Sequence, residues 1–306
     1  MADVTTILAQ LGDHRNQLSY RDLRQLNDIG RDQLPAFRAA WQTIDGERRR
    51  RIAQALIDLA EDNVELDFRD TFVAMLDDAH DEVRRLATTG LWEDDRRSTL
   101  HTLLPMFQTD PSPDVRAAAA LALGHFAHHA ALDGLPSSDA ATIRQTLLTT
   151  ATNVDLPAEV RRRALEGAGY FEGEDVLQAI AQAYASGQRP LKESALVAMG
   201  RSMDTRWLPI VEAELQSNEA SLRYEAARAS GELGEEAASL LPRLLPLTES
   251  DDAEIAYAAI WALGQIGGDG ARRTLRRLAR SNDPATQEAA QEALAELDLD
   301  SNSLQF

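Results

Sequence analysis

The sequence predicts an all-α fold, a right-handed α-α superhelix built from about seven tandem helix pairs. Three observations predict it. An amphipathic helical pattern recurs along the chain, mostly at intervals of about 31 to 33 residues, and a second apolar segment precedes each copy. Hydrophobic residues make up 44% of the chain but aromatic residues only 5%. Ala and Leu supply much of the apolar total, and a core made of Ala and Leu suits closely packed helices better than strands.

Each copy of the pattern begins with an anchor residue, followed by Ala four positions later and by small or apolar residues at seven, eight and eleven. These offsets trace one face of a helix with 3.6 residues per turn, so each copy predicts one amphipathic helix, here called the inner helix. The anchors are Val83, Val115, Val160, Leu191, Leu222, Ile255 and, less clearly, Thr286. Among the clearest copies are DVRAAAALALGHF (114–126) and EIAYAAIWALGQI (254–266).

A second apolar helix, here called the outer helix, is predicted before each inner one. One such pair cannot cover its own apolar face, so neighbouring pairs must stack into a continuous core. The predicted outer helices cover residues 71–78, 102–110, 142–151, 176–186, 207–217, 241–250 and 274–281. Pro105, Pro209, Pro242 and Pro246 lie in or beside them and should bend or begin them.

Small residues recur at two fixed positions of the inner helix. A Gly inside a helix costs about 1 kcal/mol relative to Ala, so its recurrence predicts close backbone contact or a helix end. The first position holds Ala119, Ala164, Ala195, Ala226, Ala259 and Ala290, and the second holds Gly124, Gly169, Gly200, Gly231 and Gly264.

This register resembles the HEAT repeat, in particular the short bacterial subtype first named from phycobilin lyases. The resemblance rests on the pattern V-R-x-x-A-x-x-A-L-G and covers about residues 65–297. It implies a HEAT-repeat solenoid with a ladder of buried turn contacts between an Asp and the Arg six residues later. Asp78 with Arg84, Asp110 with Arg116 and Asp155 with Arg161 fit that ladder, whereas Ser takes the place of Asp at Ser186, Ser217, Ser250 and Ser281.

The ends of the chain and one insertion depart from the regular repeats. Residues 1–33 are interpreted as a helical N-terminal cap, residues 34–297 as the solenoid and residues 298–306 as a flexible tail. The solenoid is predicted to start with a degenerate repeat whose anchor position holds Arg48. A polar anchor suits a terminal repeat, since the outer side of such a repeat meets water. A 45-residue interval between the anchors Val115 and Val160 predicts a loop insertion at 128–140, either tolerated or used in binding.

The sequence contains no motif for catalysis: no P-loop, no Gly-rich dinucleotide motif, no nucleophile elbow and no H-E-x-x-H. It also has no Cys to act as a nucleophile or a thiolate ligand. His125 and His129 share a helical face, but a stable metal site needs further ligands at fixed geometry. The chain is therefore predicted to be no enzyme, and neither a cofactor nor a metal is expected.

The net charge of the chain limits the classes of partner that it is expected to bind. The formal net charge is −19, from 31 basic and 50 acidic residues, which opposes non-specific attraction to phosphate backbones or anionic membranes. No apolar run approaches the roughly 18 residues of a membrane span, and the first residues lack the basic start and apolar block of a secretion signal. We expect a cytoplasmic monomer with a protein partner, without nucleic-acid or membrane binding.

The inner-helix positions two, six and ten after the anchor should line the concave face of the solenoid. In the later repeats they hold Tyr, Trp and Arg, the residues enriched at binding hot spots. The predicted partner-binding residues are Tyr170, Arg201, Tyr224, Arg228, Tyr257 and Trp261. Two alternatives stay open: Trp261 packs between inner helices, and the basic stripe at 272–280 is either a solvated face or a surface for an acidic partner.

The first function hypothesis is a non-catalytic scaffold or adaptor that binds a protein through its concave face, because a rigid curved surface loses little entropy on binding. The resemblance to phycobilin lyase subunits implies an alternative, a lyase-like enzyme subunit or assembly chaperone. A third hypothesis is a nucleic-acid-binding HEAT-like protein, since some relatives of this repeat cradle DNA. A shared fold alone does not choose among these functions.

Overall fold

The computed structural model describes residues 3–30 and 32–303. Within these residues the chain forms helices and connecting turns without any strand, which confirms the predicted all-α class. The chain divides into two compact units, residues 1–167 (unit 1) and residues 168–306 (unit 2). None of the described helices combines the length and the apolar content that crossing a bilayer requires.

Unit 1 begins with two short helices, α1 and α2, and a 3-10 turn at Arg24–Leu26, followed by the first helix pairs. The inner helices α4, α6 and α8 pack against one another in succession, and the outer helices α7 and α9 both pack against α8. The helices are α1 (Val4–Gly12), α2 (Tyr20–Leu23), α3 (Leu34–Trp41), α4 (Gly46–Asp62), α5 (Arg69–Met75), α6 (Asp81–Thr89), α7 (Arg97–Thr109), α8 (Pro113–Ala131), α9 (Ser137–Thr152) and α10 (Ala158–Ala168).

Unit 2 repeats the same arrangement four more times. Its inner helices α12, α14, α16 and α18 pack in succession, and each also packs against the outer helix that precedes it. The helices are α11 (Glu174–Ala185), α12 (Arg189–Arg201), α13 (Leu208–Glu214), α14 (Ala220–Glu232), α15 (Leu241–Leu247), α16 (Ala253–Ile266), α17 (Gly268–Leu278) and α18 (Pro284–Ser303). Pro209 and Pro242 stand in the first turns of α13 and α15, where the missing amide hydrogen is harmless.

The recurring Gly marks a close approach between neighbouring inner helices, as predicted. A Cβ at Gly200 would lie 2.9 Å from Cα of Ala229, and one at Gly264 would lie 3.0 Å from Cβ of Ala293. Gly124 has more room, since its Cβ would meet Cα of Gly167 at 3.7 Å. The packing of α12 on α14 and of α16 on α18 therefore depends on the missing side chain, because the opposing atoms belong to helix backbone or to a Cβ.

The predicted loop insertion at 128–140 is wrong, because most of these residues are helical. α8 continues to Ala131 and α9 starts at Ser137, so only five residues connect them. Ala130 and Ala131 end the Ala-rich helix α8, and Ala140 lies in the first turn of α9, where the high helix propensity of Ala favours helix. Asp139 in the first turn of α9 accepts a hydrogen bond from Arg97 at 2.7 Å, and its charge suits a helix N-terminus.

Arg48 does not meet water, contrary to the expectation for a terminal anchor. Only 4% of its surface is exposed. Its guanidinium donates hydrogen bonds to the carbonyl oxygens of Leu11, at 2.6 Å, and Asn16, at 2.9 Å. The N-terminal residues 3–30 thus cover the degenerate repeat and satisfy its polar anchor with backbone oxygens.

The Asp–Arg ladder exists in unit 1, but its partners differ from those expected. Arg84 pairs with Asp110, the Asp of the following repeat, through two hydrogen bonds of 2.8 and 2.9 Å. It reaches only the backbone oxygen of Asp78, six residues before it. Asp78 instead binds Arg49 of the preceding helix pair at 3.0 Å and accepts a bond from Trp41 at 2.7 Å. The ladder therefore links successive pairs.

The expected pair of Asp155 with Arg161 is also wrong. Asp155 is exposed, and Arg161 donates to the carbonyl oxygen of Ala151 at 3.4 Å. In unit 2 a related link joins Lys192 to Glu214 at 2.6 Å. Tyr184 donates to the same carboxylate, and burial together with this bond raises the pKa of the Tyr184 hydroxyl. A buried carboxylate thus links successive repeats in unit 2 as well, although Ser takes the place of the ladder Asp there.

The predicted tail, residues 298–306, is in part helical. α18 continues past Leu297 to Ser303, so its last turns extend the final inner helix. Residues 304–306 lie outside the described part of the chain.

Candidate functional site

A groove of about 490 Å³ lies along the inner helices of unit 2, with walls from α14, α16 and α18. Four of the six predicted partner-binding residues line it: Tyr224, Arg228, Tyr257 and Trp261. Tyr224 and Arg228 are four residues apart on α14, and Tyr257 and Trp261 are four apart on α16. Residues with this spacing lie on one face of a helix, so the repeat register aligns the two pairs on neighbouring helices.

Arg228 and Trp261 form a cation–π contact across the two helices. The guanidinium carbon of Arg228 lies 4.1 Å from the centroid of the Trp261 ring. A second partner, Glu232, lies one turn further along α14 and approaches the guanidinium to 3.7 Å. A cation over an indole ring is attracted by the negative face of the ring, by about 0.5 to 1 kcal/mol at an exposed site. The side chains of Arg228 and Trp261 therefore hold each other in place before anything binds.

Trp261 also packs against the backbone of α14. A Cβ at Gly231 would lie 2.2 Å from Cζ3 of the indole, so the ring rests directly on this glycine. The side chain is partly buried and still lines the groove. Both interpretations of Trp261 thus hold in part, because the ring fills space between inner helices and also presents area to the groove.

Tyr170 and Arg201 form a second cation–π pair, one repeat earlier in unit 2. The guanidinium carbon of Arg201 lies 4.8 Å from the centroid of the Tyr170 ring. Burial raises the pKa of the Tyr170 hydroxyl, and the charge of Arg201 opposes that shift only in part. Neither residue is part of the groove lining, so the structure brings four of the six predicted residues together and leaves these two beside them.

Three carboxylates that were not among the predicted site residues also line the groove. Glu254 comes from α16, and Glu292 and Glu296 come from α18. Glu296 accepts a hydrogen bond from Gln265 at 2.6 Å. In the described part of the chain, the side chains of Glu254 and Glu292 make no hydrogen bond or ion pair. The groove therefore holds more negative charge than its one Arg offsets.

The signal for two of these carboxylates was present in the sequence. Glu292 and Glu296 stand six and ten residues after Thr286, the same offsets that place Trp261 and Gln265 after Ile255. The signal is weak because the polar Thr286 is a poor anchor, so the last repeat does not extend the predicted face clearly. Ala258, Ala289 and Ala293 complete the lining, and their small side chains leave the space that the groove occupies.

The other candidate residues lie elsewhere. The rings of His125 and His129 stack 5.9 Å apart on α8 of unit 1, where burial lowers the pKa of His125. The described residues include no group of three or more potential metal ligands. In the basic stripe at 272–280, Arg277 pairs with Glu249 at 2.8 Å and Arg272 pairs with Asp298, so part of this stripe is neutralised within unit 2.

Comparison with known proteins identifies the repeat. A family model for HEAT repeats matches residues 69–146 and 208–295, together more than half of the chain. No curated protein matches the sequence significantly.

Several solved structures resemble the chain in part. The complex of CpcE and CpcF of phycocyanin lyase from Nostoc sp. PCC7120 is 18% identical, with 93% of this chain and 90% of that chain covered and a TM-score of 0.47. An engineered protein is 19% identical, with coverages of 96% and 88% and a TM-score of 0.41. Importin beta is 15% identical, and this chain covers 44% of its length at a TM-score of 0.47.

Proposed function

This chain belongs to the HEAT-repeat family, and we propose that it is a non-catalytic scaffold that holds a protein partner in the groove between α14, α16 and α18. The observation that carries the proposal is the Arg228–Trp261 contact on the groove wall, with Tyr224 and Tyr257 beside it. Trp, Tyr and Arg dominate the energetics of protein interfaces, because each combines large contact area with a polar group. Sixteen aromatic residues serve the whole chain, and three of them line this groove.

The rigidity of the groove supports the same function. Trp261 is fixed between the Gly231 backbone and the Arg228 guanidinium, and its helix packs on both neighbours. Immobilising a flexible side chain on binding costs about 0.5 to 1.5 kcal/mol. Side chains that are already ordered avoid much of that cost, so a partner would gain more of its contact energy as affinity.

The charge of the groove favours a protein over a nucleic acid. Glu254, Glu292 and Glu296 face the single guanidinium of Arg228. Binding of nucleic acid draws most of its affinity from Lys and Arg that neutralise phosphates, and carboxylates at the same place repel them. The nucleic-acid hypothesis thus finds no support at this groove, and no described residue cluster favours the lyase hypothesis. The expected cytoplasmic location and monomeric state stay predictions.

Photo-crosslinking tests the proposal at the groove. A photoreactive benzoylphenylalanine replaces Tyr257 in one variant and Tyr20, an exposed residue of unit 1, in a control variant. After irradiation in cells of the source organism, we expect a discrete protein adduct from position 257 that the control lacks. Adducts at neither position, or the same adducts at both, would contradict the proposal.

A further inference from the structure

A second cavity, of about 500 Å³, lies in unit 1, well apart in sequence from the groove of unit 2. It is lined by the end of α4, the connection from α4 to α5, the first residues of α5, and the residues from the end of α6 to Asp94. We propose that this cavity is a second docking site, which takes a large apolar side chain of a partner polypeptide while the carboxylates at its rim bind a neighbouring Lys or Arg of that polypeptide.

Two closely packed aromatic rings form the floor of the cavity. The rings of Phe68 and Phe72 meet edge to face with centroids 6.4 Å apart, and only 2% and 1% of these residues is exposed. Phe72 lies so close to Gly90 that an added Cβ would come within 2.4 Å of its ring. The glycine thus lets the ring sit against the end of α6, and the packed floor cannot collapse to fill the space above it.

The rim carries two large apolar side chains that are open to solvent. Val64 is 97% exposed and Trp92 is 57% exposed. Both line the cavity together with the partly exposed Ala60 and Leu66, so apolar side chains border it on several sides. An isolated exposed apolar residue is ordinary, but a contiguous apolar surface around a cavity marks an interaction site. Trp in particular is the residue most enriched where truncation at an interface costs the most affinity.

The charges at the rim select the occupant. Glu61 and Glu93 line the cavity and are exposed, and neither side chain makes a hydrogen bond or ion pair with another described residue. The basic group of the lining, Arg69, is already held by Asp67 at 2.9 Å. The cavity thus presents unpaired negative charge around an apolar centre. This combination attracts a basic and apolar polypeptide segment and repels phosphate groups and anionic lipid surfaces.

This second site is independent of the groove in unit 2, because no residue is shared between the two linings. A segment docked in unit 1 would therefore bind whether or not the groove is intact. The two proposals can fail separately, and variants in one unit serve as controls for the other.

Three synthetic twelve-residue peptides with a fluorescent label test the inference on the full chain. The first alternates Leu with Lys, the second has Ser in place of every Leu, and the third has Glu in place of every Lys. Fluorescence anisotropy at about 150 mM salt, near physiological ionic strength, measures each dissociation constant. We expect the Leu–Lys peptide to bind and the other two to bind at least about tenfold more weakly, a difference of about 1.4 kcal/mol.

Variants of the rim then locate the binding. We expect Trp92→Ser to weaken binding of the Leu–Lys peptide about tenfold, the loss typical of an interface hot spot. The double variant Glu61→Gln with Glu93→Gln should weaken binding of this peptide about threefold or more, as expected for the loss of two exposed ion pairs. The double variant Glu235→Gln with Glu236→Gln removes the same charge from unit 2 and should bind like the wild type. Tyr257→Ala with Trp261→Ala should also leave this binding unchanged.

Three results would overturn the inference. In the first, the Leu–Lys peptide does not bind the wild-type chain. In the second, the Ser–Lys peptide binds as tightly as the Leu–Lys peptide. In the third, the variants of unit 2 lose binding and Trp92→Ser does not. Because Trp92, Glu61 and Glu93 are exposed, thermal unfolding of their variants should match that of the wild type. Should Trp92→Ser unfold early, Val64→Ser provides the same test at a side chain that is almost fully exposed.

Discussion

The guanidinium of Arg228 on α14 stacks over the ring of Trp261 on α16, 4.1 Å from its centroid. Each of these residues stands six positions after the anchor of its repeat, Leu222 and Ile255. The repeat register therefore brings two residues 33 positions apart in sequence into direct contact. One glycine beneath the ring, Gly231, makes the approach possible. The contact links the packing of the repeat stack to the surface that we propose as the partner site.

Gly231→Ala tests that link. The added methyl group would lie 2.2 Å from the Trp261 ring, so the ring must move. Overpacking of this kind costs about 1 to 3 kcal/mol, and we expect a loss of stability in that range together with a shifted Trp261 indole resonance in the nuclear magnetic resonance spectrum. Gly270→Ala is the control, because an added Cβ there has no neighbour within 4 Å. An unchanged resonance and stability would show that the ring is not fixed by Gly231.

The glycines at Gly200 and Gly124 occupy the same repeat position but should respond in opposite ways to Ala. At Gly200 the methyl group would lie 2.9 Å from backbone of the adjacent helix, which cannot rotate away, so we expect a loss of about 1 to 3 kcal/mol. At Gly124 the nearest atom is 3.7 Å away, so helix propensity should prevail and stabilise by up to about 1 kcal/mol. Urea unfolding of both variants measures the difference, and equal effects would contradict it.

The Arg84–Asp110 pair predicts an acid-sensitive link between successive repeats of unit 1. Its side chains are only 12% and 7% exposed. Burial by itself raises the pKa of Asp110, but hydrogen bonds from Arg84 and from the amide of Ser112 outweigh burial and hold the pKa below its usual value. We expect Asp110→Asn to lower the unfolding free energy by about 1 to 3 kcal/mol near neutral pH, since a buried guanidinium loses its charged acceptor.

The sign of the pH dependence follows from the lowered pKa. The stabilising contribution of Asp110 is complete above the unfolded-state pKa of about 3.9 and is lost as the pH falls through the folded-state pKa. The difference in unfolding free energy between the wild type and Asp110→Asn should therefore shrink as the pH falls from about 5 to 2. A difference that stays constant over this range would show that the pair does not stabilise unit 1.

Sequence periodicity predicted the parts of this fold that depend on local pattern. The inner and outer helices follow from apolar residues at helical spacing, and the face shared by Arg228 and Trp261 follows from the repeat register. The partners of charged residues did not follow. Asp78 binds Arg49 from the preceding pair instead of Arg84, because the stacking distance, and not separation along the chain, decides which side chains meet.

Two further differences from the predicted fold have physical causes that lie outside the repeat pattern. Part of the extra sequence at 128–140 lengthens α8 and begins α9, since the Ala-rich sequence of α8 gains more from continued helix than from a loop. Arg48 is buried because residues 3–30 supply carbonyl oxygens to it, a tertiary contact with no periodic signal. The cavity around Phe68, Phe72 and Trp92 was not predicted either, because its lining comes from connections and the ends of several helices and not from a repeated position.

The most direct test of the groove compares the proteins captured by the wild-type chain and by the variant Tyr257→Ala with Trp261→Ala. Both are immobilised and exposed to extract of the source organism, and the captured proteins are quantified by mass spectrometry. Leu132→Ala, which truncates an exposed side chain of unit 1, is the matched control. We predict that the double variant captures at least about tenfold less of one partner than the wild type does. The control should capture this partner like the wild type, and the helicity of the double variant should be unchanged. Equal capture by all three chains would contradict the account.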